Sequence, residues 1–246
     1  MKFRRGGVSV IMASALSPNH LQIGAILFPQ IDQADFTGPF EVLSRIPDTT
    51  FYVIGRNLSP VHDVRGLVLT PRTTFADTPP LDVLLVPGGA GVNAGMEDTE
   101  MLSFIRDQAA VAKIIFSVCT GAFILGAAGL LKGRRATTHW ASHHLLALLG
   151  AVPANERVVV DGKLVTAAGV TAGIDGALRV AAMLRGEAVA RTIQLYLQYA
   201  PEPPFPGGTP EGAASDILQA ATAGMRDIVD ARLVIVQRLA ASSRLT

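Results

Sequence analysis

A mostly parallel β-sheet sandwiched between helix layers is the fold class that this 246-residue sequence predicts. Three observations predict it: unbroken apolar runs of strand length recur along the chain, apolar residues at helical spacing alternate with them, and proline or glycine marks the junctions. Strands buried on both faces read as continuous apolar runs, and parallel neighbours need helical crossovers.

Taken in order, Gln22 to Phe28 (QIGAILF) is the first strand, ended by Pro29. Phe36, Phe40, Leu43 and Ile46 then repeat at helical spacing, predicting a helix over 36–46. Phe51 to Ile54 is the next strand. Residues 66–69 and 73–75, separated by Pro71-Arg72, predict a hairpin or edge pair, because proline spoils central pairing. Asp82 to Val86 (DVLLV) is a buried strand stopped by Pro87-Gly88-Gly89, and 99–112 is an amphipathic helix that Asp98 can cap. Lys113 to Val118 (KIIFSV) is again a buried strand, followed by an apolar helix over 121–131. Beyond it the pattern predicts a short strand at 135–138, a helix at 143–149, strands near Val158 and Val165, and one long helical stretch over 174–199. The segment from Pro201 to Gly208 (PEPPFPGG) cannot be helical, and 210–241 reads as a last long helix. The expected organisation is a flexible extension over 1–20 and a single α/β domain over 21–246.

Composition narrows the function. With 49% hydrophobic and 17% charged residues and a mean hydropathy of +0.38, the chain can build one large core, which excludes disorder and collagen-like repeats. A net charge of +1 without an extended basic block argues against a nucleic-acid partner. No window reaches the roughly 18 apolar residues of a spanning helix. At the start, Met1 to Arg5 is basic, Val8 to Met12 apolar and Ala13-Ser-Ala15 small-x-small, which resembles a weak secretory signal; the apolar stretch is short and interrupted, so a cytoplasmic protein is expected. A single cysteine allows neither an intrachain disulfide nor a cysteine zinc cluster.

That cysteine carries the chemistry. Cys119 lies between the end of IIFSV and the start of an apolar helix, the geometry of a nucleophile elbow, with Gly121 allowing a sharp turn. Ligand sites in open α/β sheets lie beyond the carboxyl ends of the strands, and the dipole of the following helix should lower the thiol pKa. A buried cysteine can also be plain core filler. As its partner, Asp35 follows the first strand and, partly desolvated, would have a raised pKa suited to proton transfer; its plainer role is a helix N-cap, with Asp32 the fallback acid. His139, after the next short strand, could reach the same edge or serve as a packing corner with Thr138 and Trp140. Gly89-Ala90-Gly91 fits a dinucleotide loop, but the strand that should end in an acidic residue ends in Ser117-Val118-Cys119 instead. The better reading is a glycine loop whose backbone N–H groups at Gly89 and Ala90, with that of Thr120, face developing negative charge.

The segments DFTGPFEVL (35–43), DVLLVPGGAG (82–91), SVCTGAFILGAAGLLKGRRATTHW (117–140) and VTAAGVTAGID (165–175) resemble the ThiJ/PfpI superfamily, of the class I glutamine amidotransferase-like fold, from about Leu21 to the C-terminus. The resemblance implies a flavodoxin-like sheet carrying the cysteine elbow, and usually a homodimer. Many members place a glutamate after the first strand where this chain has Asp35. Asp35 in the D-x-T-G-P context with Cys119-Thr120-Gly121 resembles the isocyanide hydratase branch. That branch implies hydration of an isocyanide to an N-substituted formamide without metal or cofactor: attack of the Cys119 thiolate on the terminal carbon, protonation on the nitrogen side to a thioimidate, and a water activated by Asp35 that displaces the thiol. Thr120 would orient Asp35 or the thiolate through its hydroxyl, and Val170 would be a pocket wall.

Four competitors share parts of the pattern. Amidase-type transcriptional regulators carry the same motifs but append a DNA-binding domain, for which under forty residues follow the proline-rich segment here. A glyoxalase or deglycase acting on 2-oxoaldehydes would use Cys119 with His139 and typically the glutamate. A peptidase of this superfamily needs an oligomeric Cys-His pair, and a redox sensor would oxidise Cys119.

Overall fold

A computed structural model describes residues 17–242, so the basic and apolar N-terminal segment and most of the expected extension lie outside the described residues. The chain runs β1 (Leu21–Ile26), α1 (Gln33–Leu43), β2 (Thr49–Gly55), β3 (Val61–His62), β4 (Val68–Leu69), β5 (Thr73–Thr74), β6 (Val83–Val86), α2 (Val92–Gly95), α3 (Thr99–Val111), β7 (Ile114–Val118), α4 (Gly121–Ala127) and β8 (Arg135–Ala136). A 3₁₀ helix (Trp140–Leu149), β9 (Val152–Pro153), β10 (Val158–Asp161), β11 (Leu164–Ala167), α5 (Ala172–Arg185), α6 (Glu187–Tyr196) and α7 (Ser215–Ser242) complete it.

Seven strands form the main sheet in the order β10-β11-β7-β6-β1-β2-β5, parallel throughout except for the antiparallel β10–β11 pair. The apolar runs sit at its centre: every residue of β6 and β7 is buried, and Phe116, Ile23, Ile26, Leu84 and Leu85 are among the largest fully enclosed side chains. Because β1 sends the chain outward to β2 while β6 leads the other way to β7, the strand order reverses between β1 and β6, the switch point where such sheets open a crevice.

Several expected elements are corrected. Residues 66–75 do not pair with one another: β4 joins β3 in a separate two-stranded ribbon, whereas β5 pairs with β2 as the edge strand of the main sheet, where Pro71 costs no ladder bond. The strand at 135–138 shortens to β8, which pairs with β9 outside the main sheet. The helix at 143–149 is 3₁₀ and begins at Trp140. The long stretch 174–199 breaks into α5 and α6 at Gly186, whose φ of 84° cannot continue a helix. The last helix begins at Ser215 rather than 210.

Candidate active site

Three neighbouring strands bring the expected residues together. Cys119 follows β7, Gly88 and Gly89 follow β6, and Asp35 lies in the first turn of α1 after β1. Asp32, not Asp35, caps α1: its Oδ1 accepts from the Ala34 N–H at 3.0 Å. With the cap supplied three residues earlier, the fully buried Asp35 is left to face the cysteine. An antiparallel bridge between Ile31 and Gly89, and the Asp32 N–H donating to the Gly88 carbonyl at 2.9 Å, tie the β1 and β6 loops together.

The elbow is strained and clamped. Cys119 adopts a φ of 54°, a left-handed conformation that a residue with a side chain holds only when its surroundings impose it. Here the Cys119 N–H donates to the Ala167 carbonyl at 3.0 Å, and the Thr138 hydroxyl donates to the Cys119 carbonyl at 2.7 Å. Both groups of the nucleophile's own peptide are thus spoken for, and the thiol is presented to the crevice.

Polar groups around it differ in part from the expectation. The Gly88 N–H donates to Asp35 Oδ2 at 3.0 Å, and the Gly89 N–H donates to Thr120 Oγ1 at 3.1 Å, so neither is free to meet a developing oxyanion. The Thr120 hydroxyl, expected on Asp35 or the thiol, also donates to the Gly89 carbonyl at 3.3 Å; it fastens the glycine loop to the elbow instead. The Thr120 backbone N–H does face the thiol. Asp35 Oδ1 is buried without a hydrogen-bond partner among the described residues.

Burial sets the electrostatics. It pushes Asp35 up to about 8, helped by the nearby Asp32 charge and only partly offset by Cys119 and the Gly88 N–H. Burial also pushes the Cys119 thiol up, and the Asp35 charge adds to this, against the lowering expected from the helix dipole. The reason is that α4 has only seven residues, and the one N–H that reaches the sulfur is outweighed by desolvation and a neighbouring carboxyl.

The thiol opens on a cavity of about 150 Å³, walled by Asp32, Gly89, Thr120, His139 and Val170 among others. Ala90 is not part of that wall. His139 is both things that were expected of it, a cavity residue and a packing corner: it lies 5.5 Å from the Trp140 ring, and its Nδ1 accepts from the Ala141 N–H at 3.4 Å. Burial and the Arg232 charge hold it below the usual imidazole range, hence neutral at pH 7.

The opposite wall comes from an element to which the sequence assigned no role. Met225, Ile228, Val229 and Arg232 reach the cavity from α7, and Ala141 and Ser142 from the 3₁₀ helix. The available signal was their spacing: with Val236 they form one apolar stripe at helical period, and an arginine inside such a stripe is a buried charge wanting a reason. A larger cavity, about 310 Å³, lies elsewhere between Phe28, Pro71, Phe75 and Met101, with neither cysteine nor histidine in its wall.

Residues 22–183, more than half of the chain, match the DJ-1/PfpI family model. An isonitrile hydratase of Pseudomonas putida is 52% identical over 225 residues, covering 92% of this chain and 99% of that protein. An uncharacterized protein of Streptomyces lividans is 34% identical over 123 residues, 48% of this chain and 87% of its own length. Among solved structures, a ThiJ/PfpI family protein from Pseudomonas syringae superposes with a TM-score of 0.86 at 38% identity, covering 88% of this chain and 90% of that one.

Proposed function

Because the chain belongs to the DJ-1/PfpI family and sets a buried aspartate against the cysteine at its strand-helix elbow, we propose that it is an isocyanide hydratase, converting R–N≡C and water to R–NH–CHO. What carries this reading is the buried carboxyl set against Cys119, in a chain half identical to an isonitrile hydratase along nearly its whole length.

The chemistry follows from the groups in place. Cys119 Sγ bonds to the terminal carbon, and the valence of that carbon, which bears a hydrogen in the formamide product, puts the accompanying proton there rather than on the nitrogen, giving the thioimidate R–N=CH–S–Cys119. Asp35, which below about pH 8 holds a proton, delivers it and takes up the thiol proton in exchange. Water then adds across C=N: its oxygen bonds to the carbon and, through Asp35, a proton reaches nitrogen. Collapse of the adduct breaks the C–S bond, returns the hydroxyl proton to sulfur and releases the formamide. Asp35 Oδ1, with its free lone pairs, is the atom suited to moving these protons, while Oδ2 is held by Gly88. The Thr120–Gly89 bonds keep the loop and elbow in register during both additions. Val170 and Gly89 shape the wall, and His139, neutral at pH 7, borders it without being required as base.

No resident metal or cofactor enters this scheme. A homodimer in the cytoplasm is part of the same proposal; size-exclusion chromatography with light scattering checks the assembly. Among the described residues no helix is long and apolar enough to cross a membrane.

The test is a parallel assay of an aryl isocyanide, followed by ultraviolet absorbance, and of methylglyoxal. Isocyanide should be consumed by the parent protein and not by Cys119→Ala. Consumption of methylglyoxal alone, lost in His139→Ala, would replace this reading with the glyoxalase one.

A further inference from the structure

We propose that Arg232 is an anion-binding group inside the Cys119 cavity, so that the preferred substrates are small isocyanides carrying a carboxylate. The claim about substrates rests on the hydratase reading; the claim about the anion site does not.

Arg232 is 3% exposed, yet its guanidinium has little to satisfy it. Nη1 donates to Ser142 Oγ at 2.7 Å, the group stands 5.4 Å over the Phe123 ring, and Nε is buried with no hydrogen-bond partner among the described residues. None of the ion pairs among the described residues includes it. A buried guanidinium left without a counter-charge is costly, and packing over Phe123 would be served as well by methionine.

The cavity explains the cost. Arg232 shares its wall with Cys119, and the other α7 residues there, Met225, Ile228 and Val229, are apolar. The second charged residue of the wall, Asp32, spends Oδ1 on capping α1 and makes no ion pair with Arg232. His139 is neutral and so competes for no anion. What faces the ligand is therefore a thiol nucleophile at one place and an unsatisfied planar cation at another, within a cavity of about 150 Å³. A carboxylate is the group whose two oxygens match a guanidinium's parallel N–H donors. Burial holds the Arg232 pKa down to about 10, against a smaller raising effect of charge on Cys119 across the cavity, still leaving it charged at neutral pH.

Two measurements test this, each a ratio within one protein so that partial misfolding cancels. In the first, kcat/KM is compared for isocyanoacetate and its methyl ester. The parent should favour the carboxylate by about tenfold or more, the scale of a desolvated charge-assisted pair. Arg232→Met should bring the ratio to about one, and Arg232→Lys should keep part of the preference. A parent ratio at or below one overturns the substrate claim.

In the second, Cys119 is alkylated by iodoacetate and by iodoacetamide; sulfur displaces iodide, the new S–C bond replaces C–I, and the thiol proton passes to buffer. Relative to free cysteine, the parent should favour iodoacetate about tenfold or more, and Arg232→Met should return to the free-cysteine ratio. If no isocyanide is hydrated but this selectivity holds, the hydratase reading fails and the anion site stands. If both isocyanides are hydrated alike and alkylation matches free cysteine, the anion site fails and the hydratase reading stands.

Discussion

The cavity has two halves of different origin. One is carried on the sheet, where Asp32, Gly89, Cys119 and Thr120 line it from the ends of three adjacent strands, with Gly88 and, in the first turn of α1, Asp35 beside them, and backbone groups tie these segments together. The other is carried on α7, a single helix whose first half is largely exposed and which lines the site with Met225, Ile228, Val229 and Arg232. Bond making needs atoms placed to a fraction of an ångström, and a clamped, strained turn at a sheet edge supplies that. Selecting a substrate needs only a surface of suitable shape and charge, which one packed helix can provide. If this division is right, substitutions on the sheet side should damage the rate, and the fold as well where they displace its backbone, and those on α7 should change much less.

The largest expected effect is Asp35→Asn. Loss of the proton carrier should lower kcat/KM for isocyanide hydration by about 10²–10⁴, read from initial rates. The parent's rate should fall above pH 8, about tenfold per unit, as Asp35 gives up its proton; the residual rate of Asp35→Asn should lack that limb. Stability should move the other way. Unfolded, the carboxyl titrates near 3.8; folded, it holds its proton up to about 8, so between these values the native state binds more protons and parent stability declines as pH rises. Asparagine has no such decline, so the variant should melt above the parent at pH 8 and lose this advantage near pH 4. A variant that is inactive and no more stable at pH 8 would mean that Asp35 is not held against its own ionisation.

The same division explains what the sequence disclosed. The sheet and the elbow were legible because their signals are local: DVLLV and IIFSV are buried on both faces, and a lone cysteine directly after such a run can only stand at the carboxyl edge. The pairing of Asp35 with Cys119 was legible for the same reason, since parallel neighbours share an edge. What failed to show was tertiary. Nothing near Thr120 announces that its hydroxyl will bind the Gly89 backbone, and the free N–H groups expected of the glycine loop are consumed by Asp35 and Thr120 once the strands meet. Thiol pKa was misjudged because a helix N-terminus is visible in sequence, whereas burial is not. Arg232 lies more than a hundred residues from Cys119, and only its place in an apolar stripe hinted at burial.

A matched pair of glycines sharpens the contrast at smaller scale. At Gly121, a Cβ would stand 2.1 Å from the Val86 carbonyl oxygen and 2.7 Å from that of Pro87, both backbone atoms of the neighbouring strand and its loop. Neither can yield without moving β6, so Gly121→Ala should cost about 2–4 kcal/mol in urea unfolding and displace the elbow, lowering activity with it. Gly224 sits inside α7 with nothing within 4 Å of where a Cβ would go. There alanine removes backbone freedom from the unfolded chain and adds no clash, so Gly224→Ala should stabilise the protein by roughly 0.5–1 kcal/mol. Although Gly224 adjoins Met225 in the cavity wall, hydration rates should shift little, because its missing side chain points to solvent. A rate loss at Gly224→Ala comparable to that at Gly121→Ala would show that α7 must bend or slide during turnover, and the two halves would then be one machine rather than a reaction centre and a wall.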